Sequence, residues 1–490
     1  MKTFSNAAIL AAAAMLLAGS SAANPLHTSS WRTLHDGLGR YSQKPQKPGK
    51  SDQDDAGEKK RAKQDRHRPE KERRGRPGKR QLGKRDEQQQ TKPNERQEGK
   101  PDEGQNERGN GGEPQPLQIR AYWKEGLYLE TLDGNHRVHI GGRIMNDYAF
   151  LGGSDALEGE VGNLQDGSEI RRARLFVSGY IYKGVEFKIQ YDFAGGDANP
   201  KDVYIGTRGL PANVRVGHFK EPFSLEELTS SKFITFTERA LTNVFAPSRN
   251  SGIMVHGKVA GERASYGFGV FRETDSFGDS LADKYNLTGR FAGTPIYGSD
   301  GHRLLHLGGA FTFKNVDNDG TLRFRQRPEV HLAPRFVDTG KFPADSAHIF
   351  NAEVATVIGP FSAQGEYTRA AVNSDTADDP AFNGWYVMAS YWLTGEHRNY
   401  ETKEAAFGRV HPKANFLDGS GGAGAWELAV RYSRLDLNDK KIAGGKLNDL
   451  TAGVNWHWNP LTRVMFNLVR ARLDGVDSVY AFQARAQIDF

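Results

Sequence analysis

Cysteine is absent from this chain of 490 residues. That absence excludes a disulfide framework and any metal site built on cysteine. A run of about 20 apolar residues is also missing, so no helix is expected to span a bilayer. Catalytic signatures are missing too. His136, His139, His218, His256 and His306 are scattered, without HExxH or another metal-ligand spacing. There is no GxSxG and no Walker-type phosphate loop. Asp317, Asn318, Asp319 and Gly320 have the texture of a calcium loop but lack its terminal acid and ligand spacing. The adjacent acids Glu226 and Glu227 read as a solvated turn rather than an acid/base pair. The expectation is no enzyme, no metal and no cofactor.

What is present divides into three regions. Residues 1–23 read as a secretory leader: Lys2 supplies the positive start, Ala7 to Ala18 the apolar core, and Ser21-Ala22-Ala23 the small residues before a cut. Residues 24–116 form a charged, low-complexity stretch. From Ala62 to Pro116 its only large apolar residue is Leu82, too little burial to offset the entropy of ordering, so disorder is expected. Residues 41–116 hold 21 Lys+Arg against 15 Asp+Glu, a surplus of 6 that equals the +6 of the whole chain. The basic character thus belongs to this stretch, and the remainder is near neutral. It reads as a solvated spacer, or as a weak ligand for a polyanion such as lipopolysaccharide phosphate, cell-wall polymer or polyphosphate. A nucleic-acid partner is not expected, given the leader and the lack of interleaved aromatics.

The third region, residues 117–490, has a different texture. Segments of about ten residues alternate apolar and polar between Gly, Pro, Asn and Asp clusters. Val185, Phe187, Ile189, Tyr191 and Phe193 fall on one face, with Glu186, Lys188, Gln190 and Asp192 on the other. The last segment sets Tyr480, Phe482, Ala484, Ala486, Ile488 and Phe490 against Gln483, Arg485, Gln487 and Asp489. Sixteen such segments can be counted from Arg137 to Phe490. The fold predicted is all-β, a 16-stranded antiparallel transmembrane β-barrel. Connections alternate short and long, as periplasmic turns and outside loops do, except that 394–423 is long on the periplasmic side. Trp385, Tyr391, Trp426, Tyr432, Trp456 and Trp458 suit interfacial girdles.

One connection stands apart. Residues 221–251 do not alternate, and they carry Phe223, Phe233, Phe236 and Phe245 beside Lys232, Arg239 and Arg249. A segment this apolar needs a wall, and the interior of a barrel offers one. The run HFKEPFSLEELTSS with FITFTERAL and NVFAPSRNSG resembles the phosphate-selective porin O/P family. So do IRRARLFVSGYIYKGVEFKIQYDF, GAWELAVRYSRLDL, VNWHWNP and the terminal Phe490. The resemblance runs from about Asn135 to Phe490. It implies a third outside loop folded inward, a homotrimer in outer-membrane lipid, and small anions such as phosphate as solutes. The terminal Phe490 strand is similar to the signal read by the barrel-insertion machinery. A coiled-coil-like segment common in the family has no counterpart, since no heptad is visible near the N-terminus.

Strand parity nominates the lumen cations. Arg137 and Arg143 oppose Val138, Ile140 and Ile144. Arg172 and Arg174 share a face with Ser178 and Tyr180, while Ala173, Leu175, Val177 and Ile181 face lipid. Lys188, Arg208, Arg215 and Lys258 follow by the same logic, as do Arg431 and Arg485. Asp147, Glu186, Asp192, Asp202, Glu366, Glu427 and Asp489 offset them and leave a modest positive excess. Lys220, Lys232, Arg239 and Arg249 join from the long connection, with Arg239 or Lys232 expected to face solutes opposite Arg172 and Arg174. Rings of such cations select anions, and the arginine fork suits phosphate. The competing reading is that they pair with the acids and brace the lumen. The leading function is a passive, anion-preferring outer-membrane channel for phosphate or polyphosphate. The alternatives are a general porin on the same scaffold and a barrel that tethers the envelope through the basic stretch.

Deleting residues 41–115 is expected to leave a heat-modifiable, outer-membrane protein of unchanged conductance, because disordered termini contribute few contacts. Loss of barrel assembly, read on gels before and after boiling, would make that stretch structural.

Overall fold

The computed structural model describes residues 117–273, 284–316 and 320–490. The expected leader, the charged stretch up to Pro116 and the Asp317–Asp319 run lie outside the described residues. A short hairpin comes first, β1 (Ile119–Trp123) and β2 (Leu127–Thr131). The first half of a barrel follows: β3 (Arg137–Gly152), β4 (Gly167–Ile181), β5 (Val185–Asp192), β6 (Asn199–Thr207), β7 (Ala212–Lys220), β8 (Arg249–Val259), β9 (Ala264–Arg272) and β10 (Tyr285–Gly298). The second half is β11 (Arg303–Asn315), β12 (Ser346–Ile358), β13 (Phe361–Asn373), β14 (Ala381–Trp392), β15 (Ala425–Asp439), β16 (Ile442–Asn459), β17 (Thr462–Leu473) and β18 (Ser478–Asp489). Each of the sixteen pairs antiparallel with its neighbour in sequence, and β18 pairs back onto β3 from Asp489↔Arg143 to Tyr480↔Gly152. The sheet therefore has no free edge within the barrel, which suits backbone that meets lipid rather than water.

The alternation read from the sequence is the alternation observed. On β18, Tyr480 and Ile488 are exposed to the outside, while Val479, Ala481, Gln483, Arg485, Gln487 and Asp489 are buried. The same holds around the wall, where Ile144, Leu175, Val177, Ile189, Ile253, Phe268, Phe350, Val387, Val430 and Leu468 form an exposed apolar band. Trp426 stacks on Trp456 at 4.9 Å, and Phe416 caps Trp456 and Trp458 at the rim that carries the C-terminus. Among the described residues no helix is long and apolar enough to cross a membrane.

β16 begins at Ile442, because pairing continues past an irregularity at Asp436/Asn438 to Asp439↔Ile442. The hairpin of β1 and β2 was not expected at all. β2 pairs with β3 from Leu127↔Ile140 to Glu130↔Arg137, in line with and below the C-terminal strand. There Phe490 exchanges both backbone hydrogen bonds with Gly142, at 2.6 and 3.1 Å.

Three long connections place their hydrophobic side chains against the barrel's polar face. The first, 221–248, holds one helical turn, α2 (Leu225–Leu228), and a 3-10 turn at Leu241–Val244; the other helix in the described loops, α1 (Asp155–Val161), precedes it at the rim opposite the C-terminus. Phe223 and Phe245 join Phe324, Phe336 and Phe342 of the second connection, 316–345, in one buried cluster. Leu225 meets Tyr400 and Phe407 of the third, 393–424, together with Ala292, Leu304 and Val357 of the wall. Fully burying a phenylalanine contributes roughly 1.5–3 kcal/mol. Ordering a residue's backbone costs about 1–2 kcal/mol. A few aromatic anchors therefore do not hold 221–248 by themselves, and its hydrogen bonds to the wall are required.

Phe236 shows how close that contact is. Gly453 of β16 lies beneath it, and a Cβ there would sit 3.1 Å from the Phe236 ring and 2.6 Å from the Asn467 amide. Gly453→Leu is expected to leave the barrel heat-modifiable while exposing 221–248 to protease. Unchanged resistance to nicking would show that Phe236 does not anchor the segment.

Candidate functional site: a cation-lined cavity

The polar face of the barrel divides into two walls. On β11 to β18 the inward side chains are covered. Asn455 donates to the Thr235 carbonyl at 2.8 Å, Arg463 to the Ile234 carbonyl at 2.9 Å, and the Thr237 amide donates to Asn467 at 2.8 Å. The Glu226 amide donates to Glu366 at 2.7 Å. From 316–345, Glu329 is buried among Arg431 at 2.5 Å, Ser433 at 2.5 Å and Thr451 at 2.6 Å. From 393–424, Arg398 donates to Gln364 at 2.7 Å, while the Ala405 carbonyl accepts from Arg290 of the neighbouring β10 at 2.9 Å. The contacts of 221–248 lie across the lumen from β7 and β8, the strands it connects.

The other wall, β3 to β10, borders open space. A cavity of about 1220 Å³ lies against it. Its lining includes fifteen Lys and Arg side chains and five Asp and Glu, an excess of ten positive charges. The sequence reading expected only a modest excess, because parity counts both walls together. The acids Glu353, Glu366, Glu427 and Asp449 are on the covered wall, buried and removed from the cavity.

Eleven of the twelve cations nominated from sequence line this cavity: Arg137, Arg143, Arg172, Arg174, Lys188, Arg208, Arg215, Lys220, Arg239, Arg249 and Lys258. Lys232 does not. It turns to the C-terminal rim, 3.5 Å from Asp489, and lines a separate small pocket. The expectation that it faces solutes is corrected. Arg239 is partly corrected: it lines the cavity, but its guanidinium is spent on the carbonyls of Glu226, Glu227 and Thr229, at 2.9, 3.2 and 3.0 Å, and so braces its own loop. Glu226 and Glu227 are likewise no solvated turn, since both are buried. Burial works to raise the Glu227 carboxyl, but Arg239 and Lys220 outweigh it and hold it at about 2.

Pairing sorts the remaining cations. Arg174 is 2.7 Å from Asp192, Arg215 2.8 Å from Glu186 and Lys220 3.0 Å from Glu227. Asp202 serves both Lys188 at 2.6 Å and Arg249 at 2.7 Å. Lys258 reaches Glu262 of the adjoining turn at 3.0 Å. Arg143 instead donates to Ser231 at 2.8 Å, and its Nε has no partner. Arg172 meets only the Met145 sulfur at 3.6 Å. Arg137 lies over Tyr128 and Tyr180, and Arg208 over Tyr180 at 4.1 Å. Among the described residues these four, with Lys201, have no carboxylate within ion-pair distance.

Arg171 was missed by parity. The register between β3 and β4 slips at Met145/Asn146, opposite Arg171, so Arg171 and Arg172 both turn inward. Arg171 then holds Glu238 by two hydrogen bonds at 2.8 and 2.9 Å. A second carboxylate contact to Glu238 comes from Arg485 at 3.1 Å. The doubled arginine in IRRAR was the available signal. Lys201, Arg290 and Lys403 also line the cavity unforeseen.

The comparisons with known proteins agree in direction. A model of the family described as phosphate-selective porin O and P matches residues 138–490. The chain is 28% identical over 399 residues to Porin O of Pseudomonas aeruginosa, across 72% of this chain and 87% of that protein. It is 32% identical over 377 residues to an uncharacterized protein of Caulobacter vibrioides, across 74% of this chain and 73% of that one. Among solved structures it is similar to an anion-selective porin from Comamonas acidovorans, at 16% identity over 72% of this chain and 100% of that one. The TM-score there is 0.47, too low to carry an argument.

Asp202 neutralises two cations at once. Asp202→Asn is expected to raise the cavity's positive charge and shift the reversal potential in a salt gradient further toward anions. A shift toward cations, or none, would show that Lys188 and Arg249 do not act on passing ions.

Proposed function

The chain belongs to the phosphate-selective porin O and P family and resides in the outer membrane of a Gram-negative bacterium, and on that premise we propose that its barrel is a passive channel that prefers anions, phosphate and polyphosphate above others. The observation that carries this reading is the excess of ten positive charges around the cavity. Residues 221–248 and 393–424 narrow the lumen, and what remains open is the cation-bearing wall. An ion crossing there leaves bulk water and meets fixed guanidinium groups at a low effective dielectric, where each acts more strongly than in solution.

Within that set, selection rests on the cations with no carboxylate. Arg143, Arg172 and Lys201 have their charge available to a solute; Arg174, Arg215 and Lys220 are already neutralised by Asp192, Glu186 and Glu227. Arginine favours phosphate because two oxygens can bind one fork. The resting contacts of Arg143 with Ser231 are readily exchanged for a phosphate oxygen. Assembly as a homotrimer, insertion through the Phe490 strand and a seat in lipid complete the proposal. Its support for the last is the exposed apolar band around the wall.

The test is a pair of substitutions. One charge about 8 Å from an ion path contributes about 2 kcal/mol at an effective dielectric near 20. Screening over a Debye length of about 8 Å reduces this to roughly a fourfold effect on each ion, and so on the order of tenfold on the anion-to-cation ratio. Arg143→Gln with Arg172→Gln is expected to lower the anion-to-cation ratio by that factor or more in planar bilayers, and to weaken block of chloride current by phosphate. Arg174→Gln with Asp192→Asn, which removes a neutral pair, is expected to change the ratio less. Equal effects from the two variants would remove the unpaired arginines from the filter. Loss of phosphate block without loss of anion preference would leave a general anion porin.

A further inference from the structure

We propose that the porin holds one small monovalent anion, of halide size, in a small pocket at the C-terminal rim, apart from the solute path. The pocket lies where residues 221–248, residues 393–424 and the ends of β14 to β18 meet. Its free volume is about 20 Å³, room for a single water-sized body. A phosphate does not fit, so this is not a branch of the channel. Phe233 and Gly408 line both this pocket and the large cavity.

Two arguments identify the occupant as an anion. The first is charge. Lys232, Arg398, Arg409 and Arg463 line the pocket, against Glu427 and Asp489, with Glu125 reaching Arg409 from outside at 2.9 Å. Four cations face three carboxylates, one negative charge short. An uncompensated charge away from water is costly, whereas a paired one is tolerated. The second argument is hydrogen bonding. Arg398 is 3% exposed; its Nη1 donates to Gln364 at 2.7 Å, but its Nε and Nη2 have no partner. Trp392 is 2% exposed, and its indole N–H is also unpartnered. Buried donors in native proteins nearly always have an acceptor. An anion among Arg398 and Trp392 supplies both the missing acceptor and the missing charge. The Glu427 Oε1, also without a partner, lies on the same pocket and needs a donor that the anion does not provide, so it marks the side from which the anion stands away.

The consequence is mechanical. Lys232 belongs to the first inserted segment, Arg398 and Arg409 to the third, and Trp392 and Arg463 to the wall. One anion between Arg398 and Trp392 thereby ties the segment 393–424 to the barrel wall.

The experiment replaces chloride by bromide in crystals of the full chain and reads anomalous scattering. One peak is expected between Arg398 and Trp392 in the wild type. It should vanish in Arg398→Gln and weaken in Trp392→Phe, which keeps the packing and removes the donor. In solution, the apparent Tm of the detergent-solubilised protein is expected to fall when chloride is exchanged for gluconate, too large to enter, and to be insensitive to that exchange in Arg398→Gln. Anion preference in bilayers should be unchanged in Trp392→Phe, which separates this site from the solute path. A pocket with density for water and no anomalous signal, a peak that persists in Arg398→Gln, or a Tm equal in chloride and gluconate would each overturn the proposal.

Discussion

A barrel of this width has a polar inner face, and every group on it needs a partner. That requirement governs the rest of the structure. On β11 to β18 the partners come from protein. Residues 221–248 offer their backbone carbonyls to Asn455, Arg463 and Arg485, and the Thr237 amide donates to Asn467. Residues 316–345 insert one carboxylate, Glu329, between Arg431 and two hydroxyls. Each bond alone contributes roughly 0.5–1.5 kcal/mol net. Leaving the same groups buried and unpaired would cost more than that. The inserted segments and the covered wall are therefore mutually dependent.

The selective surface is what this covering leaves behind. The acids of the lumen are spent on the covered wall and on the inserted segments, while most cations of β3 to β8 remain at the open space. A lumen near balance in overall charge thus presents a strongly positive path. The acids that do reach the cavity are placed to hold cations in position. Asp202 sets Lys188 and Arg249 side by side, and Glu186 fixes Arg215. Fixed cations are preorganised, so they stabilise a passing anion without having to reorient.

The C-terminal rim carries more order than a simple barrel end requires. The hairpin of β1 and β2 extends the sheet below Phe490, and Glu125 at its turn reaches Arg409. Arg409 also donates to Asp489 and to the Pro460 carbonyl. The barrel's closing seam and the segment 393–424 are thereby held by the same arginine.

Much of this was legible in the chain. Alternation of apolar and polar residues is a local property, and it decided the sixteen strands, their facing and the inward direction of Arg143, Arg172 or Arg485. Turn chemistry and connection length decided which rim was which. The hairpin at Ile119–Thr131 carries the same alternation in shorter form, with Ile119, Ala121 and Trp123 in phase. Other features were not legible, because they depend on pairs far apart in sequence. Arg171 turns inward only through a slip against β3. Arg174 is neutralised by Asp192 on the neighbouring strand, whereas Arg172, two residues earlier, meets no acid. Lys232 leaves the cavity because Asp489, at the other end of the chain, is near enough to draw it away. The sequence alone determined which side chains face the lumen wherever a strand's pleat runs unbroken, since the pleat repeats every two residues. The tertiary structure alone decided which of them stay charged toward a solute, since an ion pair requires two strands, or a strand and a loop, to arrive at the same place.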